Sequence, residues 1–421
     1  MSGIRLKPAT CLAILGPVAL LALFSGPARA GDFTDPKKLQ ALKAKIGAVD
    51  VPILDPCVDP GPKAEPCRRR ALDRAKKAFL EAKTKPVRVL HLGDSHVAAD
   101  LITGMTRDRL QTEYGGGGRG FIHVDQLVGY GGRRQTKGDG DWERDRIVDA
   151  KEKAGRPYGF SGVALEPKKK GAKLTFSLTP EDTRVVVYYV PQAGAAEVVA
   201  KVGKAELGRF DPSQGQSVAF ELPTGRGKKS ELVLEAQGPK ARIVGLSFES
   251  APTGLFYDAI GPVGADARVY LDLGRDSLQA HLTAHDPALI VLMVGGNDAL
   301  KSRKGWTNLE QVEKDHRELL AVLKQFAPNA DCLLFGPMDA GDKVKGKVVS
   351  KALLVETRDL QKKLAEELGC GFWDTLEAMG GTGSITKWEK AKVMNGDLVH
   401  PKKPAGDLLG LLFAEAWLAG K

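Results

Sequence analysis

The chain has 421 residues, 43% hydrophobic, 27% charged and 6% aromatic, which supplies core material for one large or two medium globular domains and excludes disorder over the whole length. Lys and Arg total 62 against 52 Asp and Glu; the first thirty residues hold Arg5, Lys7 and Arg29 and no acid, so beyond them the balance is 59 against 52. This mild surplus is spread along the chain. It suits a polyanionic partner such as an acidic cell-wall polymer and argues against nucleic-acid binding, which calls for a clustered basic face.

Residues 1–30 have the layout of a removable signal peptide: basic Arg5 and Lys7, an apolar stretch from Cys11 to Phe24, then Pro27-Ala28-Arg29-Ala30 with small residues three and one before the expected cut. An uncleaved anchor is the competing reading, and Cys11 lies too early for a lipoprotein cysteine. No later segment is long and apolar enough to span a bilayer, so we expect an exported protein, periplasmic or extracellular, with no transmembrane span after signal removal. Cys57, Cys67, Cys332 and Cys370 then remain, compatible with two disulfides. Cys57 to Cys67 is favoured because it closes a short Pro-rich loop; buried free thiols are the alternative for the other pair. There is no CxxC pair or HExxH, so no metal site is expected.

Residues 31–85 form a polar N-terminal segment with prolines from Pro52 to Pro66 and a basic helix at Arg68–Lys83. Leu72, Ala75, Phe79 and Leu80 share one face of that helix, and Arg70, Arg74, Lys77 and Glu81 fall on the solvated side. Val87 to Leu92 is a short β-rich run ending in Gly93-Asp94-Ser95, and Ala98–Tyr114 reads as a helix. From about residue 126 to 250 the texture changes to short strands at Leu174–Leu178, Arg184–Val190, Glu197–Val202, Ser217–Leu222, Glu231–Glu235 and Arg242–Phe248, the pattern of a β-sandwich. After 251, strands at Leu255–Ile260, Leu289–Val294, Cys332–Phe335 and Gly371–Trp373 alternate with helices at Ala267–Ala284, Leu309–Phe326, Val349–Leu368 and Ala405–Leu418. That alternation predicts an α/β domain, residues 86–125 plus 251–421, with a parallel sheet covered on both faces and interrupted by the β insertion of residues 126–250.

In open α/β sheets, sites form beyond the carboxyl ends of the strands. Three polar groups stand out. Gly93-Asp94-Ser95 puts a serine at a helix start; Gly295-Gly296-Asn297-Asp298 follows the most apolar strand and offers an amide donor; Asp397-Leu398-Val399-His400 sets a carboxylate three residues before a histidine, where it can fix the imidazole tautomer. Singly, each is a common turn, loop or cap. Together they supply the nucleophile, base, orienting acid and oxyanion donor that acyl transfer needs.

On these residues the sequence resembles the SGNH (GDSL-like) hydrolase superfamily, whose four blocks look like Gly93-Asp94-Ser95-His96, Gly264, Gly295-Gly296-Asn297-Asp298 and Asp397-Leu398-Val399-His400. The resemblance implies a three-layer α/β/α parallel-sheet domain of flavodoxin-like type. It further implies Ser95 as nucleophile, His400 as base, Asp397 as its orienting acid, and an oxyanion hole from Ser95, Gly264 and Asn297, with Gly261 as a rival for the glycine block; the chemistry requires no cofactor. The β-rich insertion, with Gly117-Gly118-Arg119-Gly120-Phe121 and the run Phe248-Glu249 to Gly264-Ala265, also resembles the peptidoglycan O-acetylesterase branch, where the insertion is similar to a carbohydrate-binding module. The basic N-terminal segment departs from that pattern.

The expected partner is therefore an O-acetylated polysaccharide, peptidoglycan first. The alternatives are an O-acetyltransferase using the same acyl-enzyme and a non-catalytic wall-glycan-binding protein. Gly115–Gly120 contains GxGxxG but follows a helix instead of a strand, which argues against a dinucleotide. His96 either touches substrate or fills space, and Asp94 is given no catalytic role. Trp142, Tyr158, Tyr188, Tyr189 and Phe210 of the insertion are read as core ahead of sugar-stacking residues. Oligomeric state is left open.

Overall fold

The structure, a computed structural model, describes residues 33–61, 67–98, 100–124, 136–138, 141–150, 155–226 and 230–420; the signal peptide expected at 1–30 lies outside them. Residues Phe33–Lys421 form one compact unit. Among the described residues no helix is long and apolar enough to cross a membrane.

The elements that position the site are β1 (Pro86–Gly93), α1 (Leu101–Tyr114), β2 (Gly254–Ile260), α2 (Arg275–His285), β3 (Leu289–Met293), α3 (Leu309–Phe326), β4 (Asp331–Phe335), α4 (Leu354–Leu368), β5 (Gly371–Trp373) and α5 (Lys403–Ala419). The five strands pair in parallel in the order β2-β1-β3-β4-β5. Their apolar runs are nearly continuous because both faces are covered, and successive residues point to opposite sides. Val87 and Val89 of β1 join Val291, Phe335 and Trp373 in a core under α1 and α5. Leu90 and Leu92 join Ile290, Leu292 and Leu334 in a second core under α2 and α3.

Among the described residues two antiparallel sheets occupy the insertion: one of five strands, and one of six in which Arg242–Glu249 pairs with Arg184–Val190 on one side and with Gly118–His123 and Val163–Pro167 on the other. A third core, with Phe176, Val187, Leu234 and Leu246, contains residues of both sheets. The larger sheet also turns Val186, Tyr188, Val190 and Val244 into the second core of the parallel sheet, so insertion and α/β layers share buried apolar surface. Charged contacts tie the same seam: Glu249 binds Arg88 of β1 at 2.7 Å and also pairs with Arg184. Asp258 of β2 accepts from the Phe121 N–H at 2.5 Å and faces His285 Nε2 at 2.6 Å.

The strands of the parallel sheet fall where the sequence puts them, and four helices depart from it. The N-terminal helix is confined to Asp73–Leu80, because Arg69 and Arg70 instead pair with Cys57–Asp59 in a short antiparallel ladder. The helix expected from Ala98 begins at Leu101, separated from a short helix at Ser95–Ala98 by Asp100 at φ 58°. The Ala267–Ala284 helix breaks into Ala267–Leu271 and α2; Gly274 lies between, and a Cβ there would sit 3.0 Å from the Gly155 carbonyl oxygen of the insertion. Helix α4 starts at Leu354, since Lys347–Ser350 folds back on Gly341–Val344 as a hairpin whose turn residues Lys345 and Gly346 both have positive φ.

Both disulfides form, Cys57–Cys67 and Cys332–Cys370. The second links the start of β4 to the residue before β5 across a sequence separation of 38. Closing a loop of that length restricts the unfolded chain, so replacing both Cys332 and Cys370 by Ala is expected to cost about 2–4 kcal/mol of stability. Denaturant unfolding of the two oxidised proteins tests this, and coincident midpoints would contradict it.

Candidate active site

β1 lies between β2 and β3, and the strand order reverses there, so the loops leaving β2, β1 and β3 stand side by side at the carboxyl edge of the sheet. They carry Gly261–Ala265, Asp94–Ser95 and Gly295–Asn297 respectively.

The end of β1 is pinned by the buried Tyr270 hydroxyl, which donates to the Gly93 carbonyl at 2.6 Å and accepts from the Gly93 N–H at 3.0 Å. Ser95 then opens a four-residue helix, with the Asp94 carbonyl accepting from Val97 and Ala98 N–H at 3.1 and 3.0 Å. Its hydroxyl lies 2.7 Å from Nε2 of His400, a residue 305 positions away on the loop that leads into α5. His400 Nδ1 is 2.6 Å from Asp397 Oδ2, and Asp397 Oδ1 accepts from the N–H groups of Val399 and His400 at 2.9 and 3.0 Å. Leu398 takes φ 58° to make this turn. Nδ1–H therefore donates to the carboxylate, which leaves Nε2 as the acceptor for the serine proton.

Burial and the charge of neighbouring His96 lower the His400 pKa below its ordinary value, against the opposing pull of Asp397. Burial alone would raise Asp397, but the hydrogen bonds from the His400 ring and from two backbone N–H groups bring it below the usual carboxylate range. The resting pair is thus a neutral imidazole beside a carboxylate, the protonation state a general base requires.

Asn297 stands in the first turn of the helix Gly296–Arg303, and its amide Nδ2 donates to Ala265 O at 2.9 Å and Asp94 Oδ2 at 3.2 Å. The two glycines of the neighbouring loop are distinguished by geometry. A Cβ on Gly261 would sit 2.2 Å from the Asp94 carbonyl oxygen, so Gly261 serves close packing, and its N–H donates to His123 Nε2 at 3.1 Å. Gly264 has φ 89° and open space where a Cβ would go. Among the described residues, no hydrogen bond to protein engages the N–H of Ser95 or Gly264.

The structure thus brings Ser95, His400 and Asp397 into one hydrogen-bonded chain and links Asn297 to the glycine loop, while no hydrogen bond joins Asn297 or Gly264 to Ser95. Sequence reasoning gave Asp94 no catalytic role and assigned no part in the site to His123 or Arg146. Asp94 Oδ1 accepts from the backbone N–H of His96 at 2.9 Å and lies 2.9 Å from its ring Nδ1, while Oδ2 holds Asn297. Arg146 of the insertion donates to Val263 O at 2.8 Å, so with His123 it grips the glycine loop on both sides of Pro262. Adjacency to Ser95 was the available signal for Asp94; none marked His123 or Arg146. Among the described residues no group of three His, Cys, Asp or Glu side chains is placed to hold a metal ion.

Residues 234–404 match the model of the GDSL-like lipase/acylhydrolase family. Over that stretch the chain resembles the GDSL-like hydrolases of the SGNH superfamily. The match includes Asn297, Asp397 and His400, and Ser95 lies before it. The match to this acylhydrolase family supports a carboxylic ester hydrolase. No curated protein matches the sequence. A solved structure of a peptidoglycan O-acetylesterase is similar in fold, with a TM-score of 0.66 at 20% identity over 82% of this chain and 95% of that one. An acetylxylan esterase from Geobacillus stearothermophilus aligns over 40% of this chain and 72% of its own, with 20% identity and a TM-score of 0.29.

Because burial and the His96 charge both act against the charged ring, His400 is expected to titrate below 6.5, so that it is a free base at neutral pH and loses that state on acidification. Histidine side-chain NMR across pH reads this directly, and a His400 midpoint above 6.5 would contradict it.

Proposed function

We propose that the protein is an exported serine esterase that removes O-acetyl groups from a bacterial cell-wall polysaccharide, with peptidoglycan as the first candidate. The observation that carries this reading is the hydrogen-bonded chain from Asp397 through His400 to Ser95, at 2.6 and 2.7 Å. In this mechanism His400 takes the Ser95 hydroxyl proton as the oxygen attacks the acetyl carbonyl. The N–H groups of Ser95 and Gly264 and the Asn297 amide stabilise the oxyanion, for which Asn297 turns from its resting partner Asp94. His400 then returns the proton to the departing sugar hydroxyl, and water, deprotonated by the same ring, hydrolyses the acetyl-enzyme.

The polysaccharide substrate is supported by the fold shared with a peptidoglycan O-acetylesterase over 82% of this chain, a span too long to leave out the insertion. Export accords with two disulfides. We read residues 86–125 and 251–421 as the hydrolase domain and 126–250 as an inserted β-sandwich, to which Gly118–His123 adds a strand. A glycan held by that module would have to contact residues other than Trp142, Tyr158, Tyr188, Tyr189 and Phe210, all of which are buried.

Acetate release from an activated acetyl ester and from O-acetylated peptidoglycan tests the proposal. Ser95→Ala is expected to abolish both activities in a folded protein, and Asn297→Ala to slow them about a hundredfold or more. Turnover surviving in purified Ser95→Ala would overturn the mechanism; turnover of the small ester alone would move the substrate to another glycan or the acceptor to a sugar.

A further inference from the structure

The serine turn holds a second histidine whose surroundings differ from those of His400 in one decisive way. His400 has an acceptor on one side, Asp397, and a hydroxyl on the other, Ser95, and a neutral ring satisfies both. His96 is buried, with Nδ1 2.9 Å from Asp94 Oδ1 and Nε2 3.2 Å from the Val399 carbonyl oxygen. A carboxylate and a carbonyl only accept hydrogen bonds, so each ring nitrogen must carry a proton, and a neutral imidazole has only one to give. Both contacts are met together by the imidazolium form, with Asp94 as its counter-charge.

The two rings are stacked, their centroids 5.2 Å apart and their planes inclined by 28°. We propose that His96 is a positioning residue that holds a fixed positive charge against the face of His400, so that the base stays unprotonated in mildly acidic surroundings, while its Nε2–H ties the Asp397–His400 loop to the serine turn. The proposal rests on the serine-esterase reading of the site. Val399 is the residue between Leu398, at φ 58°, and His400, so a bond to its carbonyl restrains the peptide that aims the base. The charged groups bearing on His400 are Asp397 from its own loop and Asp94 and His96 from the serine turn; those bearing on His96 are Asp94 and Asp397. Burial pushes His96 toward neutrality, but the charge and hydrogen bond of Asp94, with the Val399 carbonyl and the charge of Asp397, together raise its pKa, while His400 is shifted down. Two stacked imidazolium rings repel, so the first to be protonated disfavours the second.

The test is the pH profile of kcat/KM on an activated acetyl ester for wild type and His96→Gln, with Ser95→Ala alongside. Gln retains a donor for Val399 and removes the charge. The acid limb, which reports the free enzyme's base, is expected to move to higher pH by roughly one unit in His96→Gln. An acid limb that stays in place while the whole profile falls would mean that His96 only fills space, and would overturn the proposal. Independently of any His96 variant, 15N spectra of histidine-labelled wild-type protein at pH 7 should find His96 protonated on both nitrogens and His400 on Nδ1 alone; a neutral His96 would overturn the proposal even if the variant fails to fold. Activity persisting in Ser95→Ala would instead reject the esterase reading, and the NMR result would still report the state of His96.

Discussion

The two oxygens of the buried Asp94 carboxylate bind different parts of the site. Oδ1 takes the backbone N–H of His96 and faces its ring, and Oδ2 takes the amide of Asn297, 203 residues away. Through His96 the same carboxylate reaches Val399 and hence the base loop. Removing one partner from such a buried arrangement leaves an uncompensated charge or donor, at a cost of about 3–5 kcal/mol for a buried ion pair. The three loops are therefore registered to one another by a residue that itself performs no chemistry in the proposed mechanism. The topology explains the Asn297 contact: β1 lies beside β3, so the first residue beyond β1 has the Asn297 loop within reach, while the base loop is reached through His96.

The site also uses burial to give like side chains unlike states. His91, inside β1 and fully buried with Nδ1 2.8 Å from the Tyr257 hydroxyl, has its pKa lowered to about 3 by burial and is a packed neutral ring. His400 is lowered as a base must be, and His96 is raised. Desolvation lowers all three; the charge of His96 adds to the lowering of His400 against the pull of Asp397, while the acceptors around His96 reverse it there.

Much of this was legible in the sequence. The parallel strands are apolar runs buried on both faces, which is why Leu289 to Met293 could be read directly, and Ser95, Asn297, Asp397 and His400 stood out as candidates because they follow strand ends or precede a helix. What stayed hidden depended on partners distant along the chain. Gly118–His123 is a strand with two glycines, Gly118 and Gly120, and its pairing comes from Arg242–Glu249. Trp142–Arg146 alternates charges because it pairs with Val163–Pro167 near the surface of its sheet. Val349 continued the apolar pattern of α4 in the sequence, whereas the positive φ of Lys345 and Gly346 folds it into a hairpin. Asp94 and His96 were visible as residues, but their roles require Asn297 and Val399, and no local pattern announces a contact over 203 or 303 positions.

The shared core between the larger insertion sheet and the α/β layers has a consequence for how such a protein can be rebuilt. Val186, Tyr188, Val190 and Val244 lie in the same apolar cluster as Leu90, Leu92 and Ile290. Excising the insertion would strip that cluster of part of its cover, and grafting it onto another enzyme would leave its own apolar face unpaired. It behaves as an integral wall of the enzyme more than as a detachable bead. Because His123 and Arg146 in that wall also grip the loop carrying Gly264, a strain applied to the insertion would be transmitted to that loop without passing through Ser95, His400 or Asp397.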